Sequence, residues 1–298
     1  MLMRYDLLSL EIFLAVAELG SVTRAGLRCH LATSAISKRV SELEEKVGSP
    51  LFIRNARGMQ LTPAGQSLRH YARQLLDMLK RMEQELGEYG AGIKGHIRLH
   101  AITSALAQQL TLDIAGFLDA YPQVRFDVEE RSGAEVVRAV SEGRADLGII
   151  GEHTPALGLE TMLYRTDEMV IAVAEGHPLA TRDAVGFAEA LTYEFIAPHP
   201  ESSVHRLLTE QARLLGCEIK QRIRVSSFDS LCRMVSTNLG IGFIPRGVLR
   251  PYLRQFRLRA LTLDEHWADR RLFMVARSIA ALDPTTRAFA DQLSRDRS

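Results

Sequence analysis

Apolar residues recur with a heptad period over residues 61–89. Gaps of four and three residues alternate along one seam, which consists of Leu68, Ala72, Leu75, Leu79, Met82, Leu86 and Tyr89. A period of about 3.5 residues is typical of a coiled coil, whose apolar seam packs against a second helix. Pro63 suits the first turn of this helix, and Gly87 and Gly90 favour its end. The pattern predicts a dimerisation helix, and an amphipathic helix packed on its own domain is the alternative.

The segment before the seam predicts three short helices. The first covers residues 7–19 and ends at Gly20, and Ser21 is suited to cap the second. The third begins near Thr33 and ends at Gly48. Its inner face is predicted to hold Ile36, Val40, Leu43 and Val47, and its outer face Ser34, Ser37, Lys38 and Ser41. Two helices joined by a tight turn are typical of a helix-turn-helix, whose second helix enters the major groove of DNA.

Two short strands with a basic tip are predicted next, at residues 51–53 and 59–61. The hairpin between them carries Arg54 and Arg57, so it resembles a wing that can contact phosphates or the minor groove. The whole chain has a net charge of +1, yet the stretch from Arg24 to Arg57 contains seven basic residues and only three acidic ones. A charged stretch is usually just a solvated surface. Its position on a helix-turn-helix and wing favours double-stranded DNA as a partner.

From residue 97 onward, strands and helices alternate. A strand at 97–101, a helix from Leu106 to Tyr121, a strand at 124–128, a helix from Gly133 and a strand at 147–150 form the first series. The alternation restarts after residue 160, with further strands expected at 170–173, 195–197, 222–226, 241–244 and 271–276. This order predicts two α/β lobes built on parallel strands with right-handed crossovers. A ligand cleft is expected between the lobes, at the carboxyl ends of the strands.

Hydroxyl side chains stand at the predicted strand-to-helix turns. The candidate ligand-binding residues are Thr103, Ser104, Ser132, Ser202, Ser203 and Ser226, with Phe228 as an apolar wall or a core residue. Helix N-termini combined with hydroxyls suit a small anion such as a carboxylate. Ordinary helix capping is the alternative for each of them.

Composition limits the remaining function classes. A chain of 298 residues suggests two or three domains, and 46% hydrophobic with 24% charged residues is ordinary for a soluble protein. No segment is long and apolar enough for a membrane span, and charges in the first twenty residues argue against a signal peptide. Three cysteines, Cys29, Cys217 and Cys232, have no CxxC spacing and favour reduced, buried thiols in the cytoplasm. Neither metal nor cofactor is expected, and the Ser202, Ser203 and His205 group lacks a nucleophile elbow.

The order of these motifs resembles the LysR-type transcriptional regulators over nearly the whole chain. In the N-terminal part the resemblance lies in the residues 10–21, Ala35-Ile36-Ser37, Leu43-Glu44, Gly48, Pro50-Leu51-Phe52, Arg54, Arg57-Gly58 and Leu61-Thr62-Pro63-Ala64-Gly65. In the C-terminal part it lies in Gly95, Ile97, Leu99, Phe117, Tyr121-Pro122, Gly143, Asp146-Leu147, residues 177–180, Gly240-Ile241-Gly242 and Ile244-Pro245.

The resemblance implies an α/β fold class with three parts. These are a winged helix-turn-helix at residues 1–62, a linker helix at 63–92, and a two-lobed effector domain at 93–298, built like a periplasmic solute-binding protein. The chain would cross between lobes near residues 160–165 and 266–270, so lobe I would comprise about 93–163 and 268–298, and lobe II about 164–267.

Specific DNA-binding roles also follow from the resemblance. Thr33, Ser37 and Lys38 would read bases beside Ser34 and Arg39, Arg54 and Thr62 would hold phosphates, and Arg57 would point toward the minor groove. The family usually has Gln-Pro where this chain has Thr33-Ser34. Threonine cannot pair bidentately with adenine, so Thr33 is interpreted equally as a base contact or a helix cap.

The expected function is a cytoplasmic, sequence-specific transcription regulator and not an enzyme. It would bind promoter DNA as a homodimer or homotetramer and respond to a small-molecule effector, such as a small organic carboxylate, bound between the lobes. A DNA-binding architectural protein that has lost its ligand is one alternative. An enzyme or solute-binding protein with a fused helical domain is another.

Overall fold

The computed structural model describes residues 5–55, 58–91 and 95–295, apart from the side chains of residues 54, 80, 81 and 84–91. The chain forms two units, Met1–Gly87 and Glu88–Ser298. The elements of the first unit are helices α1 (Leu7–Leu19), α2 (Val22–Cys29) and α3 (Thr33–Val47), strands β1 (Phe52–Asn55) and β2 (Gly58–Leu61), and helix α4 (Pro63–Ala91), whose last residues extend into the second unit.

Local sequence signals set the ends of α1, α2 and α3. Ser21 accepts a hydrogen bond from the Arg24 N–H and caps α2, as predicted, and Gly20 and Gly48 end α1 and α3 in the left-handed conformation. Of the two interpretations of Thr33, base contact or helix cap, the cap is wrong. The N-cap of α3 is Ala32, with no side-chain bond, and Thr33 is already inside the first helical turn, where its hydroxyl is no longer in the capping position.

Helix α4 begins in close contact with the wing formed by β1 and β2. The Thr62 hydroxyl donates to the Pro50 carbonyl and accepts from the Gly65 N–H. A Cβ at Gly65 would lie 2.1 Å from the Leu51 carbonyl oxygen, so only glycine allows this approach. Glu18 of α1 binds Arg73 of α4 and also Arg28 of α2. These ion pairs connect α4, near Arg73, to α1 and α2.

The second unit contains, within the described residues, ten strands in one mixed sheet. The strands are β3 (His96–Ala101), β4 (Arg125–Glu130), β5 (Leu147–Gly151), β6 (Glu160–Ala174), β7 (Ala184–Val185), β8 (Phe195–Pro198), β9 (Gln221–Val225), β10 (Ile241–Pro245), β11 (Leu258–Leu263) and β12 (Asp269–Ala276). The helices are α5 (Thr103–Leu106), α6 (Leu110–Ala120), α7 (Gly133–Ser141), α8 (Phe187–Ala190), α9 (Ser203–Leu214), α10 (Phe228–Ser236), α11 (Arg246–Leu249), α12 (Tyr252–Gln255) and α13 (Pro284–Arg295).

Two lobes follow from the strand order β4-β3-β5-β12-β6-β10-β8-β9, with β11 beside β6 and β7. We term the part around β3, β4 and β5 the first lobe, and the part around β8, β9, β10 and β11 the second lobe. Strand β6 belongs to both, since Glu160–Glu168 pairs with β12 and Met169–Ala174 pairs with β10 and β11. Each lobe has its own apolar core, centred on Phe117 and Phe289 in the first and on Phe195 and Phe243 in the second.

Four predictions about this unit need correction. Cys232 is buried as predicted, but Cys217 is exposed. The sheet is mixed, because β12 runs antiparallel to β5 and β6, and β6 runs antiparallel to β10 and β11. The helix predicted from Leu106 to Tyr121 is broken between α5 and α6. The mixed charges of residues 287–297 predict a frayed tail, yet helix α13 continues to Arg295, because Phe289, Ala290 and Leu293 are buried in the first-lobe core.

Candidate functional site

A cavity of about 230 Å³ lies between the two lobes. Four strand-to-helix turns line it, two from each lobe: β3–α5 and β4–α7 from the first, β8–α9 and β9–α10 from the second. In each lobe the two strands are parallel neighbours, so their carboxyl ends open on the same side. The cavity contains all seven candidate ligand-binding residues, namely Thr103, Ser104, Ser132, Ser202, Ser203, Ser226 and Phe228.

The hydroxyl groups of the cavity have different partners. Ser202 accepts from the His205 N–H and caps α9, whereas Ser132 donates to the Glu135 carboxylate, which also accepts from the Ser132 N–H. These bonds lower the pKa of Glu135 and place a negative charge at the start of α7. The capping interpretation therefore applies to Ser202 and Ser132. Thr103 donates to Glu130, and the exposed Ser226 stands beside Ser227, which caps α10.

Ser104 and Ser203 bind a charged residue that is buried beneath the cavity. The Arg270 guanidinium donates from Nη2 to Ser104 Oγ at 3.0 Å and from Nη1 to Ser203 Oγ at 3.2 Å. Arg270 also pairs with Asp167, its cross-strand neighbour, and the two side chains are only 1% and 2% exposed. The ion pair lies where β6 passes from the first lobe to the second. Arg270 thus contacts one cavity-lining hydroxyl from each lobe.

The mouth of the cavity is acidic. Glu130, Glu135 and Glu201 line it against one arginine, Arg131, whose guanidinium is paired with Glu129. The floor therefore offers hydroxyl donors and the mouth offers carboxylate acceptors. A ligand that carries an acceptor at one end and hydrogen-bond donors at the other matches both ends.

The predicted DNA-binding residues occupy one face of α3 and its surroundings. Thr33, Ser34 and Lys38 are exposed, and Ser37 is half-buried between them. Among the residues that the structure describes, Lys38 has one ionic contact, with Glu42 at 3.9 Å. Arg39 instead donates to Asp6 and Ser9, and Thr62 is held by Pro50 and Gly65 as described above. The side chain of Arg54 and all of Arg57 lie outside the described residues.

An apolar stripe runs along the exposed side of α4. Tyr71, Leu75, Met78 and Met82 are 67, 43, 60 and 48% exposed, and their spacing of four, three and four residues continues a heptad. Of the predicted seam, Leu68 and Ala72 pack in the core of the first unit, Leu79 is half-buried, and Leu75 and Met82 belong to the stripe. The side chain of Leu86 lies outside the described ones.

Comparison with protein families identifies the chain. Residues 7–66 match the model of the bacterial regulatory helix-turn-helix protein, lysR family, and residues 90–297 match the LysR substrate binding domain. The chain belongs to the LysR family. As a LysR-type protein it is a DNA-binding transcription regulator with an effector-binding domain, and the enzyme alternative is set aside.

Individual relatives agree with this assignment. The LysR-type chain is 32% identical over 219 residues to an uncharacterized HTH-type transcriptional regulator, Mb2303c, of Mycobacterium bovis, covering 71% of this chain and 70% of that one. Full-length CbnR complexed with its target DNA has the same fold, with a TM-score of 0.72, 18% identity and coverage of 98% and 99%. The effector binding domain of QuiR in complex with shikimate gives a TM-score of 0.60, 21% identity and coverage of 67% and 96%.

Sequence reasoning missed Arg270, Asp167 and the glutamates at the mouth. A signal for Arg270 was present, because it alternates with Leu272 and Met274 along β12 and so occupies an inward-facing strand position. A charge at such a position demands a buried partner. Among the described residues, no helix is both long and apolar enough to cross a membrane, and no group of three or more potential metal-binding side chains occurs.

Acidification from pH 7 to pH 5 is expected to lower the melting temperature of the second unit. Burial lowers the pKa of His100, His177 and His205 below the ordinary value of 6.5. Below pH 6.5 the unfolded chain therefore binds more protons than the folded one, and stability falls as the pH falls. Carboxylates with a lowered pKa, such as Glu135, stabilise the fold above their ordinary pKa of about 4.5. They lose this stabilisation only at lower pH, below the range from pH 7 to pH 5.

The single tryptophan, Trp267, lies in the second unit against Phe187, so its fluorescence reports this unfolding in the full chain. Replacing His205 by Asn should make the fall shallower. A melting temperature that stays constant or rises between pH 7 and pH 5 would contradict the lowered pKa assigned to the buried His100 and His177 and the half-buried His205.

Proposed function

We propose that the N-terminal half of α3 reads base edges in the major groove through Thr33, Ser34, Ser37 and Lys38. The observation that supports this is the exposure of Thr33, Ser34 and Lys38 on one face, with the hydroxyl of Thr33 free of any capping bond. Arg54, Arg57 and Thr62 would bind phosphate or the minor groove from the wing. Arg39 would contact DNA only by exchanging Asp6 and Ser9 for phosphate.

Helix α4 would pair two copies of the chain along the stripe of Tyr71, Leu75, Met78 and Met82. These apolar side chains at heptad spacing stay largely exposed within the described part of the first unit, so burial against a second helix would stabilise them. Two paired heads would bind half-sites in successive major grooves, related by a two-fold axis. A tetramer, which the family resemblance implies, would join two such dimers.

The interlobe cavity would bind the effector, a small organic carboxylate. The observation that carries this proposal is that hydroxyls from four turns and both lobes converge on one cavity above a buried guanidinium. The carboxylate would accept from Ser104 and Ser203, while Thr103, Ser132, Ser202, Ser226 and Phe228 would line the rest. The acidic mouth favours hydroxyl or ammonium groups at the other end of the effector. Shikimate, the ligand of the QuiR domain, is a hydroxylated acid of this kind.

Effector binding would act by shifting populations. A ligand held by serines of both lobes favours one lobe arrangement over others, because it binds that arrangement more tightly. The change in arrangement would alter the positions of the paired heads and thereby their fit to the half-sites. A chain that binds DNA yet shows no melting-temperature shift with any acid of a broad panel would instead be an architectural protein.

Replacing Lys38 by Ala is expected to weaken binding to a fragment selected from genomic DNA. The loss of one base-edge contact costs about 1–3 kcal/mol and should relax sequence preference at that position. Lys46→Ala is the matched control, since Lys46 is an exposed lysine in the last turn of the same helix. Fluorescence anisotropy titration of the labelled fragment measures both variants. Equal affinities for Lys38→Ala and Lys46→Ala would contradict the assignment of the reading face.

A further inference from the structure

The ion pair of Arg270 and Asp167 joins the two lobes at the floor of the cavity. Ser104 is in α5 of the first lobe and Ser203 begins α9 of the second lobe, and one guanidinium donates to both hydroxyls. Asp167 neutralises the charge of Arg270, so the floor carries no net charge although it is fully buried. Burying an ion pair costs desolvation free energy, which the attraction between the charges offsets only when further hydrogen bonds engage the polar atoms.

The direction of the two hydroxyls follows from the chemistry of arginine. A guanidinium has donors only, so both serine oxygens must accept from it. Each serine then keeps its own O–H proton for a different acceptor, and neither hydroxyl donates a hydrogen bond to a described residue. The floor of the cavity therefore presents two free O–H donors, one from each lobe.

A second contact across the lobes restrains the same region. Gln108, which follows α5, donates to the Ser104 carbonyl at 2.7 Å and to Asp167 at 3.2 Å. Its side chain occupies the space next to Gly247 of α11, where a Cβ would lie 2.1 Å from Gln108 Oε1. The glycine leaves space for this first-lobe side chain beside the second lobe. The two hydrogen bonds of Gln108 connect Ser104 to Asp167.

We propose that Arg270 is a positioning residue that directs the hydroxyls of Ser104 and Ser203 toward one ligand group able to accept twice. This inference rests on the proposed effector function of the cavity and specifies its chemistry. A carboxylate has two acceptor oxygens and meets the requirement. A primary amide has an oxygen for only one of the two hydroxyls. At the other, its NH2 group would donate to the remaining lone pair of the serine oxygen and leave the serine O–H proton without an acceptor. Arg270 thereby makes the site select acids over their amides.

Isothermal titration calorimetry on the full-length protein tests this selection. Shikimate and a panel of mono-, di- and hydroxycarboxylates of two to eight carbons are titrated first, and the tightest acid is then compared with its primary amide. The variants are Ser104→Ala, Ser203→Ala and Arg270→Lys, the last of which keeps the charge opposite Asp167 but cannot donate to both serines. Ser141→Ala is the control, because this half-buried serine of α7 donates to the Val137 carbonyl outside the cavity.

Each of the three variants should lose about 10- to 100-fold in affinity for the acid and much less for the amide, so the acid-to-amide ratio falls. Ser141→Ala should keep the parental ratio. A merely structural role would weaken acid and amide alike, and thermal unfolding identifies variants that lose their fold. If the acid binds the parent and all variants at an unchanged ratio, or if only one serine matters, the proposal is overturned while the effector function stands. If no acid binds the parent, the proposed function fails and this proposal with it.

Discussion

Replacing Leu75 by Asp is expected to dissociate the pairs of chains proposed to form along α4 and so to lower the mass of the assembly. Leu75 lies in the middle of the exposed stripe on α4, between Tyr71 and Met78. A carboxylate there would lose its water in the helix interface without gaining a partner. Two linked heads bind through an effective local concentration, so separating them should weaken operator binding by about 100-fold or more. Sedimentation equilibrium measures the mass, and anisotropy measures the binding.

The matched control for this change is Leu157→Asp. Leu157 is 81% exposed and lies in the second unit, so an aspartate there tests whether a new surface charge alone has an effect. It should leave both mass and operator affinity unchanged. An unchanged mass for Leu75→Asp would refute pairing along the stripe, and it would favour the alternative of a helix packed only on its own domain.

Replacing Asp167 by Asn is expected to destabilise the second unit by about 3–5 kcal/mol, because it leaves the Arg270 guanidinium buried without its counter-charge. Asparagine has nearly the same shape, so the loss reports the missing charge and not a cavity. Urea unfolding followed by Trp267 fluorescence gives the free energy of unfolding.

Asp183→Asn removes a charge of the same kind at the surface. Asp183 pairs with Arg259 but its side chain is fully exposed, so solvent screens the pair and little change is expected. Similar unfolding curves for Asp167→Asn and Asp183→Asn would show that the buried pair contributes no more to the free energy of unfolding than a surface pair. That result would contradict the role given to Asp167 at the cavity floor.

Elements with local signals could be predicted from the sequence. Gly20 and Gly48 end helices, Ser21 caps α2, and the alternation of strands and helices gave the two-lobed fold class. The break between α5 and α6 has no such signal. There the Thr111 hydroxyl donates to the Leu106 carbonyl, which a continuous helix would have paired with a backbone N–H. Gln108 lies in the break and donates a hydrogen bond to Asp167, which is 59 residues further along the chain.

The candidate site was predictable as a set of turns but not as a chemical environment. Hydroxyls at strand-to-helix turns indicated Ser104 and Ser203, since the fold brings those turns together. The partner that orients them, Arg270, comes from a strand 67 residues beyond Ser203, and only the return of the chain to the first lobe brings it there. Helix α13 illustrates the same limit. Its mixed charges predict an exposed tail, although Phe289 and Leu293 become core residues by packing on the first lobe.

Footprinting on a fragment selected from genomic DNA tests most directly whether the cavity and the reading heads act together. We expect protection of two half-sites separated by one helical turn, about 10 base pairs, or a multiple of it. The pattern of protected positions should change when the acid that binds the cavity is added at saturation. Protection that is identical with and without the acid, or no preference for any fragment over bulk DNA at physiological salt, would contradict the account.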